Sequence, residues 1–72
     1  MRENLIKFRG DRTQQEMGDR YGVGQQTWSA WERGDITPSA KNMRKISRDA
    51  GMTVDELFST VNTNLISKRL EG

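Results

Sequence analysis

The chain has 72 residues, of which 12 are lysine or arginine and 10 are aspartate or glutamate, and its net charge is +2. This length supports a single domain with a small core, since short chains bury a smaller share of their surface. The absence of cysteine and histidine removes disulfides, the usual metal ligands and the usual catalytic nucleophiles and bases. We therefore expect no enzymatic activity, no metal, no cofactor and no small-molecule ligand.

The first two predicted helices are separated by a short turn. An apolar stripe that includes Leu5 and Phe8 predicts a helix over residues 2–9. Thr13, with Glu16 three places later, has the spacing of a capping box. A second helix should therefore begin directly after this threonine.

Two glycines mark the second helix and its end. Gly18 lies beside the predicted core residues Met17 and Tyr21, and it costs about 1 kcal/mol relative to alanine in a helix interior. We expect another helix to cross close over Gly18, where a larger side chain would hold the two backbones apart; the alternative is an incidental weak point. Gly22 ends the helix at a position that requires a positive φ, and Gly24 can cap the next helix.

The third predicted helix covers residues 25–33 and has two different sides. With about 100° of rotation per residue, Trp28, Trp31 and Glu32 share one side. Aromatic side chains can stack on single-stranded bases, but this shared side favours packing of the tryptophans in the core. The opposite side is expected to carry Gln26, Ser29, Ala30 and Arg33, with Gln25 at the exposed N-terminal end.

Two more helices and a tail complete the predicted architecture. Thr37 as a cap and Pro38 in the first turn predict a fourth helix over residues 38–50. A second capping box, formed by Thr53 and Glu56, predicts a short fifth helix.

The remaining residues, 59–72, have no clear helical or strand pattern. We therefore expect a domain over residues 1–58 and a C-terminal tail over residues 59–72. The apolar residues of this tail are candidates for a dimerisation segment, namely Val61, Leu65 and Ile66.

A helix-turn-helix, two helices joined by a glycine-containing turn, is predicted for the segment 13–34, which reads TQQEMGDRYGVGQQTWSAWERG. Together with the PS before the fourth helix and TVDELF in the fifth, it resembles the Cro/C1-type, or XRE, family of DNA-binding repressors. The resemblance covers residues 5–58. It implies an all-α fold, a compact five-helix, lambda-repressor-like bundle, and sequence-specific binding of a homodimer to double-stranded operator DNA.

The resemblance also implies roles for individual residues. Gln25, Gln26 and Ser29 match positions that reach base edges, and a glutamine can form two hydrogen bonds with adenine. The alternative to a base-contacting role is that Gln25 and Gln26 are ordinary solvent-exposed helix residues. The positions that match phosphate contacts are Gln14, Thr27, Arg33, Arg12 and Lys41.

Arg9 and Glu32 match a structural ion pair of the family, and a charge at Glu32 on the apolar side of its helix needs such a partner. At two positions the sequence departs from the family pattern, and both differences reduce the expected affinity for the DNA backbone. The loop that begins at Asp35 lacks the lysine or arginine common there, and Ala30 replaces a frequent long polar or basic residue.

We interpret the chain as a transcriptional regulator, a repressor of bacterial or phage origin. The alternative is a protein-binding adaptor, such as an antitoxin or an antirepressor, with the same fold. No apolar run approaches the roughly 18 residues of a membrane span, and the N-terminus lacks a signal-peptide region. These features predict a cytoplasmic protein without a membrane partner.

Overall fold

The computed structural model describes residues 1–58, and within this range the chain forms five α-helices and no strand. The helices are α1 (Glu3–Arg9), α2 (Gln14–Arg20), α3 (Gln25–Arg33), α4 (Ala40–Ala50) and α5 (Val54–Phe58). The predicted all-α, five-helix fold is confirmed. The tail and its candidate dimerisation residues lie outside the described range, and none of the described helices has the length and apolar character needed to cross a membrane.

Local side-chain caps explain where α2 and α5 begin. The Thr13 hydroxyl accepts the backbone N–H of Glu16 at 3.0 Å, and the Glu16 carboxylate accepts the backbone N–H of Thr13 at 2.8 Å. Thr53 and Glu56 form the same reciprocal pair at 3.0 and 2.8 Å. Each box satisfies two backbone donors that a helix start leaves unpaired, so both predicted capping boxes are confirmed.

The predicted start of α4 is wrong by two residues. The helix begins at Ala40, and its cap is Ser39, whose hydroxyl accepts the backbone N–H of Asn42 at 3.2 Å. Thr37 has a different partner, because its hydroxyl accepts a hydrogen bond from Arg2 at 2.8 Å. Pro38 is buried in the loop before the helix.

The core lies at the centre of the five helices, and both tryptophans belong to it. Trp28 stacks on Tyr21 with ring centroids 5.8 Å apart, and it meets Trp31 at 5.5 Å in a tilted arrangement. The predicted packing of the tryptophans is therefore confirmed. The buried hydrophobic cluster consists of Leu5, Met17, Tyr21, Trp28, Trp31, Ile46, Leu57 and Phe58.

Tyr21 also connects α2 with α4 through a polar contact. Its hydroxyl donates a hydrogen bond to the Asp49 carboxylate at 2.8 Å. Burial of the ring, together with the hydrogen bond and the charge of Asp49, raises the pKa of Tyr21 to about 12. The neutral, donating form of this tyrosine is therefore the one that the fold favours.

Gly18 allows the turn between α2 and α3 to fold back onto α2. The backbone N–H of Val23 donates to the Gly18 carbonyl at 2.8 Å. A Cβ at position 18 would lie 2.6 Å from the Val23 carbonyl oxygen and 2.9 Å from that of Gly24. The prediction of a close approach is correct, but the neighbour is the turn itself, and the predicted crossing helix is wrong. Gly22 has the expected positive φ, at 76°.

Ala30 lies inside the fold, contrary to its predicted place on the outward side of α3. Only 6% of the residue is exposed. Its carbonyl oxygen accepts the backbone N–H groups of Gly34, Asp35 and Ile36 at 3.1, 3.0 and 3.5 Å. The loop after α3 therefore folds back over Ala30 and covers it.

Candidate nucleic-acid interface

The helix-turn-helix formed by α2, residues 21–24 and α3 holds one side of α3 against the core and leaves the other side free. Trp28 and Trp31 anchor the inner side. Gln25 and Gln26, in the first turn, are exposed. The first turn of α3 contains no acidic residue, so its free backbone N–H groups form a positive helix end without a local carboxylate.

A buried carboxylate connects the first three helices. Glu32 is 2% exposed, and its Oε2 lies 2.6 Å from the Nε of Arg9. The second guanidinium contact, from Nη2 of Arg9 to Oε1, measures 3.3 Å. Gln14 donates to Oε1 at 3.0 Å and the Trp28 indole N–H donates to Oε2 at 2.6 Å. Four donors from α1, α2 and α3 therefore meet at one side chain.

These contacts determine the protonation of Glu32. Burial raises the pKa of the carboxyl, but the hydrogen bonds from Arg9, Gln14 and Trp28 and the charge of Arg9 outweigh that effect. The net result is a pKa below the ordinary glutamate value. The carboxylate is consequently charged at neutral pH and holds the start of α2 against the last turn of α3.

Arg2 is a second buried charge, and no local pattern in the sequence predicted its burial. It is 5% exposed, and its Nη1 donates to the carbonyls of Trp31 at 2.9 Å and Ile36 at 2.8 Å. Its Nη2 donates to the Thr37 hydroxyl, and its guanidinium lies 5.4 Å from the centre of the Phe58 ring. One side chain thus joins the end of α3, the following loop and α5.

The guanidinium of Arg2 is not fully paired. Its Nε is buried and has no hydrogen-bond partner among residues 1–58. Burial lowers the pKa of this group, although an arginine keeps its proton in proteins. The backbone N–H of Arg2 adds a further bond, to the Glu32 carbonyl at 2.7 Å. These contacts fix the position of the loop that follows α3.

The candidate base-contacting residues occupy adjoining positions on α3. Gln25 and Gln26 are exposed with no side-chain hydrogen bond to another described residue, so their amides are available to a ligand. Ser29 is half-buried one turn further along, and its hydroxyl accepts a hydrogen bond from Arg33 at 2.6 Å. The three side chains lie within about one and a half helical turns.

The candidate phosphate-contacting residues differ in their availability. Gln14 is half-buried and donates to Glu32, and Thr27 is half-buried on α3. Arg12 donates to the carbonyls at the end of α1 at 2.6 and 3.1 Å and lies over the Phe8 ring, so much of its guanidinium is occupied. Lys41 is exposed in the first turn of α4.

Arg33 is exposed at the end of α3 and is held by two neighbours. Its Nε lies 2.9 Å from the Asp35 carboxylate, and its Nη1 donates to Ser29. Half of the arginine side chain and 63% of the aspartate side chain are exposed. The contact between Arg33 and Asp35 was not predicted, because it depends on the conformation of the loop.

Comparison with known families supplies an independent assignment of this arrangement. The helix-turn-helix family matches residues 4–57, which is most of the chain and nearly all of its described part. The chain belongs to the helix-turn-helix family. The resemblance to Cro/C1-type proteins that the sequence pattern indicated is thereby confirmed.

A curated relative belongs to a phage. The chain is 30% identical over 63 residues to the transcriptional repressor RstR of the cryptic phage CTXphi, from Vibrio cholerae. The match covers 88% of this chain and 57% of the relative, so the chain spans a little over half the length of that protein. No solved structure gives a significant match.

Proposed function

We propose that this helix-turn-helix protein binds double-stranded DNA sequence-specifically and represses transcription, with α3 in the major groove. The observation that carries the proposal is an exposed pair of glutamines, Gln25 and Gln26, at the free end of a helix whose other side is fixed in the core. The similarity to a phage transcriptional repressor supports the same reading. An α-helix fits the major groove, where all four base pairs are distinguishable.

In this proposal Gln25, Gln26 and Ser29 contact base edges. A glutamine that forms two hydrogen bonds with adenine is worth about 1–3 kcal/mol of discrimination against the wrong base. Ser29 contributes one hydroxyl on the same side of the helix. These contacts read the sequence, whereas backbone contacts set the register of the protein on the duplex.

The proposed phosphate contacts surround this surface. Arg33 at the end of α3 and Lys41 at the start of α4 are exposed cations that can meet phosphates. Gln14 and Thr27 would contact phosphates through short polar side chains near the starts of α2 and α3, where free N–H groups also favour an anion. Arg12 would contact phosphate through the guanidinium N–H groups that do not already donate to the carbonyls of α1.

We further propose that the protein binds as a symmetric homodimer. A single module of this kind buries about 600–1,000 Å² on DNA and reads too few base pairs to define a rare site. Residues 59–72 are the proposed pairing segment. With bacterial or phage DNA as the proposed target, we propose a cytoplasmic location, with the protein associated with the nucleoid when bound.

The decisive experiment is selection of bound duplexes from a random-sequence library, followed by titration of the selected duplex at several salt concentrations. We expect nanomolar-range binding to a site with two-fold symmetry, and affinity that falls steeply as salt increases. Binding that is absent, or that does not respond to salt, would contradict the proposal.

Two substitutions and a matched control separate the proposed roles. Gln26→Ala should relax the base preference at one position, with a loss of about 1–3 kcal/mol on the selected duplex. Arg33→Ala should weaken binding to all duplexes equally and reduce the salt slope by about 1. Arg48→Ala removes the same charge from the far end of α4, and it should change neither quantity.

The alternative is a protein-binding adaptor with the same fold. Its strongest support is the low net charge of +2. The neutral Ala30 no longer supports it, because that residue lies under the loop after α3. An adaptor would show weak, non-selective DNA binding in the same titration.

A further inference from the structure

The contacts of Arg33 place a carboxylate at the edge of the proposed DNA-binding surface. The guanidinium donates through Nε to Asp35 at 2.9 Å and through Nη1 to Ser29 at 2.6 Å. A guanidinium has five donors, so these two contacts leave others for a ligand. Any phosphate that binds Arg33 must therefore displace the Asp35 carboxylate or come within a few ångströms of it.

The position of Asp35 is set by the fold as well as by this ion pair. Its backbone N–H donates to the Ala30 carbonyl at 3.0 Å, which ties the residue to the last turns of α3. The next carbonyl along the loop, that of Ile36, accepts a hydrogen bond from the buried Arg2 at 2.8 Å. The carboxylate is thus presented beside Arg33 by a loop that is held on both sides of it.

We propose that Asp35 limits the affinity of this protein for DNA by competing with phosphate for Arg33. This inference rests on the proposed function and deepens it. The carboxylate neutralises the cation at the end of α3 in the free protein. On the duplex it stays next to the phosphate that Arg33 contacts, where it is repelled.

The expected effect is moderate because both side chains are exposed. Ion pairs in water are weak, so phosphate can displace the carboxylate. The aspartate still removes part of the attraction, first by competing for the guanidinium and then by repelling the phosphate. Replacing it with a neutral residue should tighten binding by about three- to tenfold at low salt, and the gain should shrink as salt screens the charges.

The substitution that tests this is Asp35→Asn, which keeps the size and the hydrogen-bonding oxygen but removes the charge. We expect tighter binding and a salt slope that is steeper by a fraction of about 1, since Arg33 already contacts phosphate in part and becomes fully available to it. The gain should be equal on a selected duplex and on a scrambled one, because phosphate contacts carry no sequence information.

Two comparisons separate competition for Arg33 from a general charge effect. Asp55→Asn makes the same change in net charge on α5, an element that packs against α1 and α4, and it should leave the affinity unchanged within about twofold. In an Arg33→Gln background, Asp35→Asn should give a clearly smaller gain than in the unaltered protein, because competition for the guanidinium is gone and only the repulsion of phosphate remains.

Each outcome of this set decides the inference. Unchanged or weaker binding by Asp35→Asn would overturn it, as would an equal gain from Asp55→Asn or an equal gain without Arg33. Failure of the unaltered protein to bind any selected duplex would instead contradict the proposed function. Circular dichroism melts of all variants establish that each is folded at the temperature of the titration.

Discussion

Replacing Gly18 with alanine should destabilise the fold, although the same change in an ordinary helix interior stabilises it. Alanine is favoured over glycine there by about 1 kcal/mol, since it restricts the unfolded backbone. At this position the new Cβ would lie 2.6 Å from the Val23 carbonyl oxygen and 2.9 Å from that of Gly24. Both contacts are far inside normal carbon–oxygen separation, and both atoms belong to the backbone.

The size of the effect follows from how little the turn can yield. The Val23 N–H donates to the Gly18 carbonyl at 2.8 Å, so moving the turn outward also weakens that hydrogen bond. Overpacking costs about 1–3 kcal/mol and occasionally more. Because both clashing atoms belong to the backbone, we take the upper end of this range, about 3 kcal/mol. With the helix gain of about 1 kcal/mol subtracted, we expect a net loss of about 2 kcal/mol for Gly18→Ala, which lowers the Tm of a domain this small by about 8–16 °C.

The assay is thermal and urea unfolding followed by circular dichroism, with Asp19→Ala as the matched control. Asp19 is the exposed next residue of α2, and its replacement should be neutral or slightly stabilising because it removes a negative charge near a helix C-terminus. A Gly18→Ala variant that melts at or above the temperature of the unaltered protein would refute the argument from the turn carbonyls.

Three further predictions concern buried polar groups. Arg2→Ala should lower the free energy of unfolding by about 2–3 kcal/mol in urea titrations, because it strips charged donors from buried carbonyls, and Arg2→Lys should restore less than half, since one ammonium cannot span the same acceptors. The contribution of Glu32 to stability should be constant above the ordinary glutamate pKa and be lost as the pH drops through the lowered pKa of this group; unfolding titrations of Glu32→Gln should lack this part of the acid dependence. At alkaline pH, stability should fall as the pH rises from 10.0 towards about 12, the raised pKa of Tyr21, and a Tyr21→Phe variant whose alkaline unfolding matched that of the unaltered protein would contradict the assignment.

Helix starts were predictable where the signal is local. Thr13 and Thr53 each have a glutamate three residues later, and the reciprocal hydrogen bonds need nothing beyond that spacing. The start of α4 was mispredicted because Thr37 and Ser39 are both suitable caps. The choice between them involves Arg2, whose bond to Thr37 links residues 35 positions apart.

Features that depend on long-range packing could not be read from the residues. The acceptors of Arg2 include the backbone carbonyls of Trp31 and Ile36. Because every residue has a backbone carbonyl, the residue types give no sign of which ones accept these hydrogen bonds. The burial of Ala30 was missed because helical periodicity describes an isolated helix, whereas a returning loop covers this position. Gly18 illustrates both cases, since the need for glycine was visible but the atoms that require it were not.

The candidate interface also contains some features that were predictable from the sequence and others that depend on the fold. The exposure of Gln25 and Gln26 follows from the helical period and from the two tryptophans that fix the inner side. The contact of Arg33 with Asp35 depends on a loop whose path is set by hydrogen bonds to Ala30. Residue types and spacing therefore indicated which side of α3 is free, and only the fold indicated which of its charges already has a partner.

The attachment of the first residues to the end of α3 affects how the protein can be labelled. The backbone of Arg2 is bonded to the Glu32 carbonyl at 2.7 Å, while Met1 is 74% exposed. A purification tag or fluorophore joined before Met1 therefore emerges beside the end of α3 and the loop that contains Asp35. A charged tag at that point would add its own attraction or repulsion to every titration, so binding constants should be measured after its removal.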